Sequence, residues 1–273
     1  MVGTDSFFDF EHSGWEGIPE PYHQAFGELT SQAITSLLDA VDVRKGENFL
    51  DIASGPGDVA AAAAKRGALV VGIDFSEAMV AYAQQLHPGI DFRVSDAEEL
   101  RLSSRLFDAA VMNFGILHLG RPEQALAEAW RVLRPGGRFA FSVWAKPEET
   151  IGFGIVLRAV EAHGEPRVAL PQGPPFFRYS DPRACVTALQ VAGFERPEVT
   201  KVGQVWRLPA GDGLFEAMKY STVRTAGLLL AQKAVVLDKI SEAIRAEVEN
   251  YTRGDVVELP MPALIASAVK PRK

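Results

Sequence analysis

One run constrains the chain more than any other: Phe49-Leu50-Asp51-Ile52-Ala53-Ser54-Gly55-Pro56-Gly57-Asp58-Val59, an apolar strand that ends in an acid and passes through small residues into a helix. Asn48 to Ile52 has the apolar character of a short buried strand, and the alanine-rich stretch from Val59 to Lys65 that of the following helix. Between them Ala53, Ser54, Gly55 and Gly57 put almost no side chain in the way, so a ligand can approach the backbone and the first amides of the helix. A glycine-rich turn of this kind also serves packing alone. A second apolar strand, Leu69 to Ile73, follows and ends in Asp74, roughly twenty residues beyond the glycines. At that spacing a carboxylate on the neighbouring strand can accept from both hydroxyls of a ribose, which points to a nucleoside-like cofactor.

The pattern then alternates. Strands at 49–52, 69–73, 91–94, 109–112 and 138–143 are interleaved with helices at 58–66, 77–86 and 122–133. This is the rhythm of a parallel α/β sheet with crossover helices, which binds ligands beyond the carboxyl ends of its strands. The residues just after each strand are therefore the candidates. Asp96 is placed to accept from an exocyclic amine, and its residue type suits the N-cap of a helical turn equally. Asn113 and Phe114 end a buried strand at the mouth of the cleft. Trp144 ends the next strand and suits either the cleft or packing. The corner Leu133-Arg134-Pro135-Gly136-Gly137-Arg138 reads as structural.

Outside this core the rhythm breaks. Residues 1–30 mix Phe7, Phe8, Phe10, Trp15, Tyr22 and Phe26 with Gly14, Gly17, Pro19 and Pro21, which reads as an aromatic lid; covering the sheet edge explains the same rings. Thr30 to Val41 reads as a helix with Ile34, Leu37, Leu38 and Val41 on one face. The expected organisation is a lid over 1–30, an α/β core over 31–145, an inserted arm over 146–180, and the rest of the core over 181–273. That last part holds a helical insertion at 211–251 between strands expected at 198–208 and 263–269.

Composition removes several classes. With 273 residues and 47% hydrophobic content the chain can bury the core of one large domain. A net charge of −7 gives no general basic field for nucleic acid or an anionic membrane surface. No apolar run reaches the length of a membrane span, Cys185 has no second cysteine to pair with, and the amino terminus lacks a basic segment followed by an apolar run, so a cytoplasmic location is expected. Cys185 sits on the apolar face of an expected helix and reads as core. Histidines, acids and the cysteine show no metal-ligand spacing.

Five ordered motifs carry a family likeness: Leu50 to Gly57, Gly72-Ile73-Asp74-Phe75-Ser76, Asp96 to Leu100, Phe107-Asp108, and Arg131 to Gly137. Together they resemble the class I S-adenosylmethionine-dependent methyltransferases, on the small-molecule branch that includes ubiquinone and menaquinone biosynthesis enzymes. The likeness is close over about residues 45–145 and loose elsewhere. It implies a Rossmann-like, seven-stranded, mostly parallel sheet with helices on both faces, whose last strand runs antiparallel, under an N-terminal lid and helical insertions that form a cap. It also implies S-adenosylmethionine as methyl donor and S-adenosylhomocysteine as product. By the family pattern Ala53, Gly55 and Gly57 face the methionine part, Asp74 the ribose and Phe75 the adenine. Asp96 and Ala97 hold the adenine edge, Met79 packs against the base, and Asn113 and Phe114 border donor and acceptor. Two departures stand out: Ala53 replaces the usual first glycine and Ser54 the usual cysteine, both still small.

Methyl transfer from a sulfonium needs mainly positioning and desolvation, with a general base useful for a protic acceptor. His118, shortly after the fourth strand, is the candidate base, or else a residue fixing the loop before Pro122. Trp15, Tyr22, Trp144 and Phe177 are the candidate acceptor-lining residues, with Phe176 and Trp206 as further aromatics of the same kind. They suggest a small apolar or planar acceptor, without fixing oxygen, nitrogen or carbon as the methylated atom. Gly55-Pro56-Gly57 with Asp74 also suits a nicotinamide cofactor, so an NAD(P)-dependent oxidoreductase is the alternative, followed by a non-catalytic S-adenosylmethionine-binding protein. Oligomeric state is not legible.

Overall fold

The apolar runs resolve into a central sheet because its inner strands are buried on both faces and need helices above and below them. The computed structural model describes residues 4–272. In chain order the elements are α1 (Thr4–Glu16), α2 (Pro19–Ser31), α3 (Ile34–Ala40), β1 (Asn48–Ile52), α4 (Asp58–Lys65), β2 (Leu69–Asp74) and α5 (Glu77–Leu86). Next come β3 (Asp91–Val94), β4 (Phe107–Asn113), α6 (Pro122–Val132), β5 (Leu133–Trp144), α7 (Ile151–His163), α8 (Pro182–Val191), β6 (Glu195–Val202) and β7 (Val205–Pro209). The chain ends with α9 (Gly213–Tyr220), α10 (Arg224–Leu230), α11 (Ala234–Val248), β8 (Thr252–Arg253), β9 (Val256–Pro260) and β10 (Ala263–Val269).

The main sheet has seven strands in the order β3-β2-β1-β4-β5-β10-β6. Its neighbours are parallel except β10, which runs antiparallel to both β5 and β6. The strand order reverses between β1 and β4, and a sheet of this kind opens a ligand crevice at such a point. Alternate residues face opposite layers. Leu50, Ile52, Ala110, Met112 and Phe141 join the larger core with α6, whereas Phe49, Val111, Ala140 and Ile265 pack with Leu37 and Leu38 of α3. Among the described residues no helix is long and apolar enough to cross a membrane.

The aromatic segment at the amino terminus consists of two helices: Pro19 occupies the first turn of α2, where a missing N–H is harmless, and Gly14 lies where an added Cβ would come within 2.5 Å of Val223. Three sequence expectations are corrected. The helix expected from Thr30 to Val41 is instead the end of α2 and a separate α3. The strand expected over 198–208 is two strands in two sheets. The chain leaves the main sheet at Gly203-Gln204, and β7 joins β9 and β8 in a three-stranded antiparallel sheet that the sequence reading did not contain. The corner 133–138 belongs to β5, with a register shift against β4 between Phe107 and Ala109 and a left-handed Gly136.

Candidate active site

The carboxyl ends of β1 to β5 open into one cleft. Its floor follows from the turn after β1. Ser54 N–H donates to the Ile73 carbonyl (2.8 Å) and Gly57 N–H to that of Ser54 (2.9 Å), which ties the turn to β2. Ala53, Gly55 and Gly57 all have positive φ, at 53°, 49° and 88°. Ala53 and Gly55 line the cleft, and a Cβ on Gly55 would meet nothing within 4 Å. Gly57, read from sequence with them, does not line it. A Cβ there would come within 2.5 Å of the Phe92 ring, so this glycine serves the packing of α4 on β3.

Asp74 terminates β2 at 5% exposure. Its Oδ2 accepts from Gly55 N–H (2.9 Å) and its Oδ1 from Ser76 N–H (3.0 Å), so one carboxylate joins the turns after β1 and β2. An ionised carboxylate offers about four lone-pair sites, so capacity remains for a ligand. Burial pushes the Asp74 carboxyl up to about 6, with the Ser76, Gly55 and Phe75 amides pulling it back. Beneath the turn Asp51 is fully buried; its Oδ2 accepts from Ala60 N–H (2.9 Å), its Oδ1 has no partner, and burial pushes this carboxyl up to about 8. A neutral carboxyl is the form such a pocket favours.

Phe75, Met79, Ser95, Asp96 and Ala97 continue the wall. No helix follows Asp96, so the capping role expected as its alternative is not met; its Oδ1 instead closes a turn by accepting from Glu98 N–H at 2.8 Å, it lines the cleft, and burial raises its carboxyl from the ordinary value. After β4, Ser142 Oγ donates to Asn113 Oδ1 (2.6 Å) and accepts from Phe114 N–H (2.9 Å). This pins Phe114 at a φ of 54°, and its ring stacks on Trp144 with centroids 4.0 Å apart. Asn113, Phe114 and Trp144 all face the cleft.

The other wall comes from outside the sheet. Trp15 of α1 meets Tyr22 of α2 edge-on (5.1 Å, 89°), and Tyr22 stacks on Phe26 (5.7 Å). Burial pushes the Tyr22 phenol up to about 12, so it stays protonated. Phe176 and Phe153 complete the aromatic chamber. Phe177 does not line it: it is half-buried behind Phe176 and Phe153, with ring centroids at 5.0 and 5.8 Å. Trp206 is also away from the cleft, buried with its Nε1 donating to the Ala25 carbonyl (2.8 Å).

His118 sits in a short 3-10 turn after β4 and faces the chamber. Its Nδ1 is 3.1 Å from Glu11 Oε2, on α1. Glu11 escaped the sequence reading, as did Glu98 and the 221–225 segment with Arg224, all on the cleft wall, where Phe8 of the expected lid also lies. The available signal was the four-residue spacing of Phe7, Glu11 and Trp15, which puts an acid between two large rings on one helix face. Four acidic residues (Glu11, Asp74, Asp96 and Glu98) line the cleft; Glu98 is paired with Arg121 (2.7 Å) and Glu11 lies 3.8 Å from Arg224, while Asp74 and Asp96 face no guanidinium in the lining. That balance, with so many ring faces, suits a cationic ligand.

Residues 50–141 match the family model described as a methyltransferase domain. The demethylmenaquinone methyltransferase of Paenarthrobacter aurescens is 37% identical over 111 residues, 41% of this chain and 44% of that one. That of Renibacterium salmoninarum is 36% identical over 130 residues, 46% of this chain and 55% of that one. The chain thus spans about half the length of these curated relatives. Among solved structures, a Haemonchus contortus phosphoethanolamine N-methyltransferase in complex with phosphomonomethylethanolamine and S-adenosylhomocysteine superposes with a TM-score of 0.60 at 19% identity, covering 99% of this chain and 61% of that one. The cyclase SpnF superposes with a TM-score of 0.53 at 22% identity, covering 89% and 81%. The fold is that of the class I S-adenosylmethionine-dependent methyltransferases. Within it, residues 50–141 match the methyltransferase-domain model, and part of the chain is similar in sequence to demethylmenaquinone methyltransferases.

Proposed function

We propose that this chain transfers the methyl group of S-adenosylmethionine to a small, planar, largely apolar acceptor. The observation that carries the reading is that one cleft joins two chemically different halves at the switch point of the sheet. The donor half fits the group. Gly55 leaves open space over the turn, Asp74 keeps acceptor sites for ribose hydroxyls, Phe75, Met79 and Ala97 give an apolar slot for a base, and Asp96 can accept from an amine at its edge. When bound, the sulfonium supplies an electrophilic methyl carbon already attached to a positive leaving group.

The chain's own part is to orient, to exclude water and to take a proton. Phe114 and Asn113 stand between the two halves, held by Ser142, and Trp15, Trp144, Phe153 and Phe176 keep the acceptor half dry. His118 is the group there that can accept a proton. The named relatives match less than half of this chain, so the acceptor is inferred from the aromatic chamber; demethylmenaquinone, in those relatives' names, is a starting point for screening. The single cysteine, buried and unpaired, suits a reducing compartment, and we place the protein in the cytoplasm.

The test is incubation with methyl-deuterated S-adenosylmethionine and a panel of hydroquinones, phenols and aryl amines, read by mass spectrometry. A labelled product together with S-adenosylhomocysteine supports the proposal. Because a cyclase shares the fold, tight donor binding with no transfer to any acceptor, or turnover of substrate without label, would overturn it.

A further inference from the structure

Glu11 is a carboxylate at 1% side-chain exposure, on the wall of the cleft and away from the donor motifs. Three elements converge on it. Its Oε2 accepts from Trp15 Nε1 on its own helix (3.1 Å) and faces His118 Nδ1 (3.1 Å); its Oε1 makes no hydrogen bond and lies 3.8 Å from Arg224 Nε at the start of α10. Arg224 is itself fixed, donating to the carbonyls of Leu117 (3.3 Å) and Pro174 (3.0 Å) between the rings of Phe7 and Phe176. A buried charge survives when paired, and here a guanidinium and two N–H donors surround it.

A carboxylate only accepts, so its contact with His118 places the ring proton on Nδ1 and leaves the Nε2 lone pair free. The ring is held edge-on between Trp15 (4.9 Å, 87°) and Phe176 (5.8 Å, 69°), and Nε2 has no protein partner among the described residues. The other charged groups on this wall are Arg224 beside Glu11, and Asp96 and Glu98 of the segment after β3.

We propose that Glu11 is the positioning residue of a Glu11–His118 pair, and that the methyl acceptor is a protic nucleophile whose O–H or N–H proton leaves to His118 Nε2. This rests on the methyltransferase reading above. The acceptor's electron pair forms the bond to the methyl carbon, the C–S pair returns to sulfur, and the released proton gives an imidazolium facing the Glu11 carboxylate, from which solvent later removes it. Glu11 acts through the imidazole, fixing its tautomer and stabilising its charged form.

The experiment compares wild type with Glu11→Leu, whose side chain cannot accept from the ring, His118→Gln, and the double variant Glu11→Leu/Arg224→Leu, in which no buried guanidinium is left without its counter-charge. Long-range 15N–1H NMR of the free protein reads the His118 tautomer, and donor affinity and the pH profile of turnover are measured alongside. The expected results are an Nδ1–H tautomer in wild type and its loss in both Glu11 variants. The acid limb of turnover should move to lower pH in those variants, His118→Gln should lower turnover about 100-fold, and donor affinity should stay within about twofold throughout. An Nδ1–H tautomer and an unmoved acid limb in the double variant would overturn the proposal and reduce Glu11 to an anchor for α1. The tautomer needs neither donor nor acceptor, so a tautomer shift without methyl transfer counts against the methyltransferase reading and not against the pair.

Discussion

Asp74 gives the sharpest quantitative prediction, because its structural role and its proposed binding role respond to pH in opposite directions. The side chain accepts two backbone N–H bonds, from Gly55 and Ser76, and is assigned the ribose hydroxyls with its remaining lone pairs. A hydrogen bond to an ionised group is worth about 1.5–3 kcal/mol, so each ribose bond lost in Asp74→Ala weakens donor binding ~10- to ~150-fold. Burial raises this carboxyl from its ordinary 3.8 to about 6. For stability the sign is that of a raised acid: the contribution is fully present below the unfolded value and is lost as pH rises through about 6. For donor binding the charged form is the better acceptor, so affinity rises over the same window. Calorimetric titration of wild type with S-adenosylhomocysteine at several pH values from about 5 to 8 should therefore show affinity falling as the pH drops through about 6. In Asp74→Asn affinity should be lower and nearly flat with pH. A wild-type affinity constant across that range, or an Asn variant that binds as wild type does, would refute the ribose assignment.

Three further outcomes follow from the packing. Gly57→Ala, with φ at 88° and its new Cβ 2.5 Å from Phe92, should lose ~1–3 kcal/mol in urea unfolding; Gly55→Ala, facing open cleft, should lose less stability and more donor affinity in titration. Asp51→Asn keeps an acceptor for Ala60 N–H and removes the buried acid. Wild-type stability should decline as pH rises through about 8, and chemical denaturation at pH values above this should find the variant the more stable. Trp144→Ala removes a ring at 4% exposure stacked on Phe114, so its melting temperature should drop by the equivalent of ~3–5 kcal/mol, with acceptor KM rising more than donor Kd.

How far the sequence carried depends on how local the determining physics is. Strands buried on both faces read as apolar runs, so Ala263–Val269 falls where the pattern puts it, as does the helix Glu77–Leu86. Residues at or just past a strand end inherit its position, which is why Asp74, Asp96, Asn113 and Trp144 come together on the cleft. The amino-terminal helices were hidden because Gly14 and Pro19 punctuate the sequence for tertiary and capping reasons, a close approach to Val223 and the first turn of α2. The switch of sheets at Gly203-Gln204 rests on a side-chain bond from Gln204 to the Leu29 carbonyl, a contact 175 residues away that no local pattern shows. Phe176 and Phe177 are adjacent in an irregular segment, where no periodicity decides which ring faces the chamber. Glu11 and Arg224 meet only because α1 and α10 pack over the same strand ends.

The measurement that bears most directly on the central claim is parallel calorimetric titration of the purified chain with S-adenosylmethionine, S-adenosylhomocysteine and NADH. The account predicts saturable binding of the first two at one site per chain, reduced in Asp74→Ala, and no heat from NADH. Binding of NADH without the sulfonium compounds would contradict it and return the Gly55-Pro56-Gly57 turn and Asp74 to a nicotinamide cofactor.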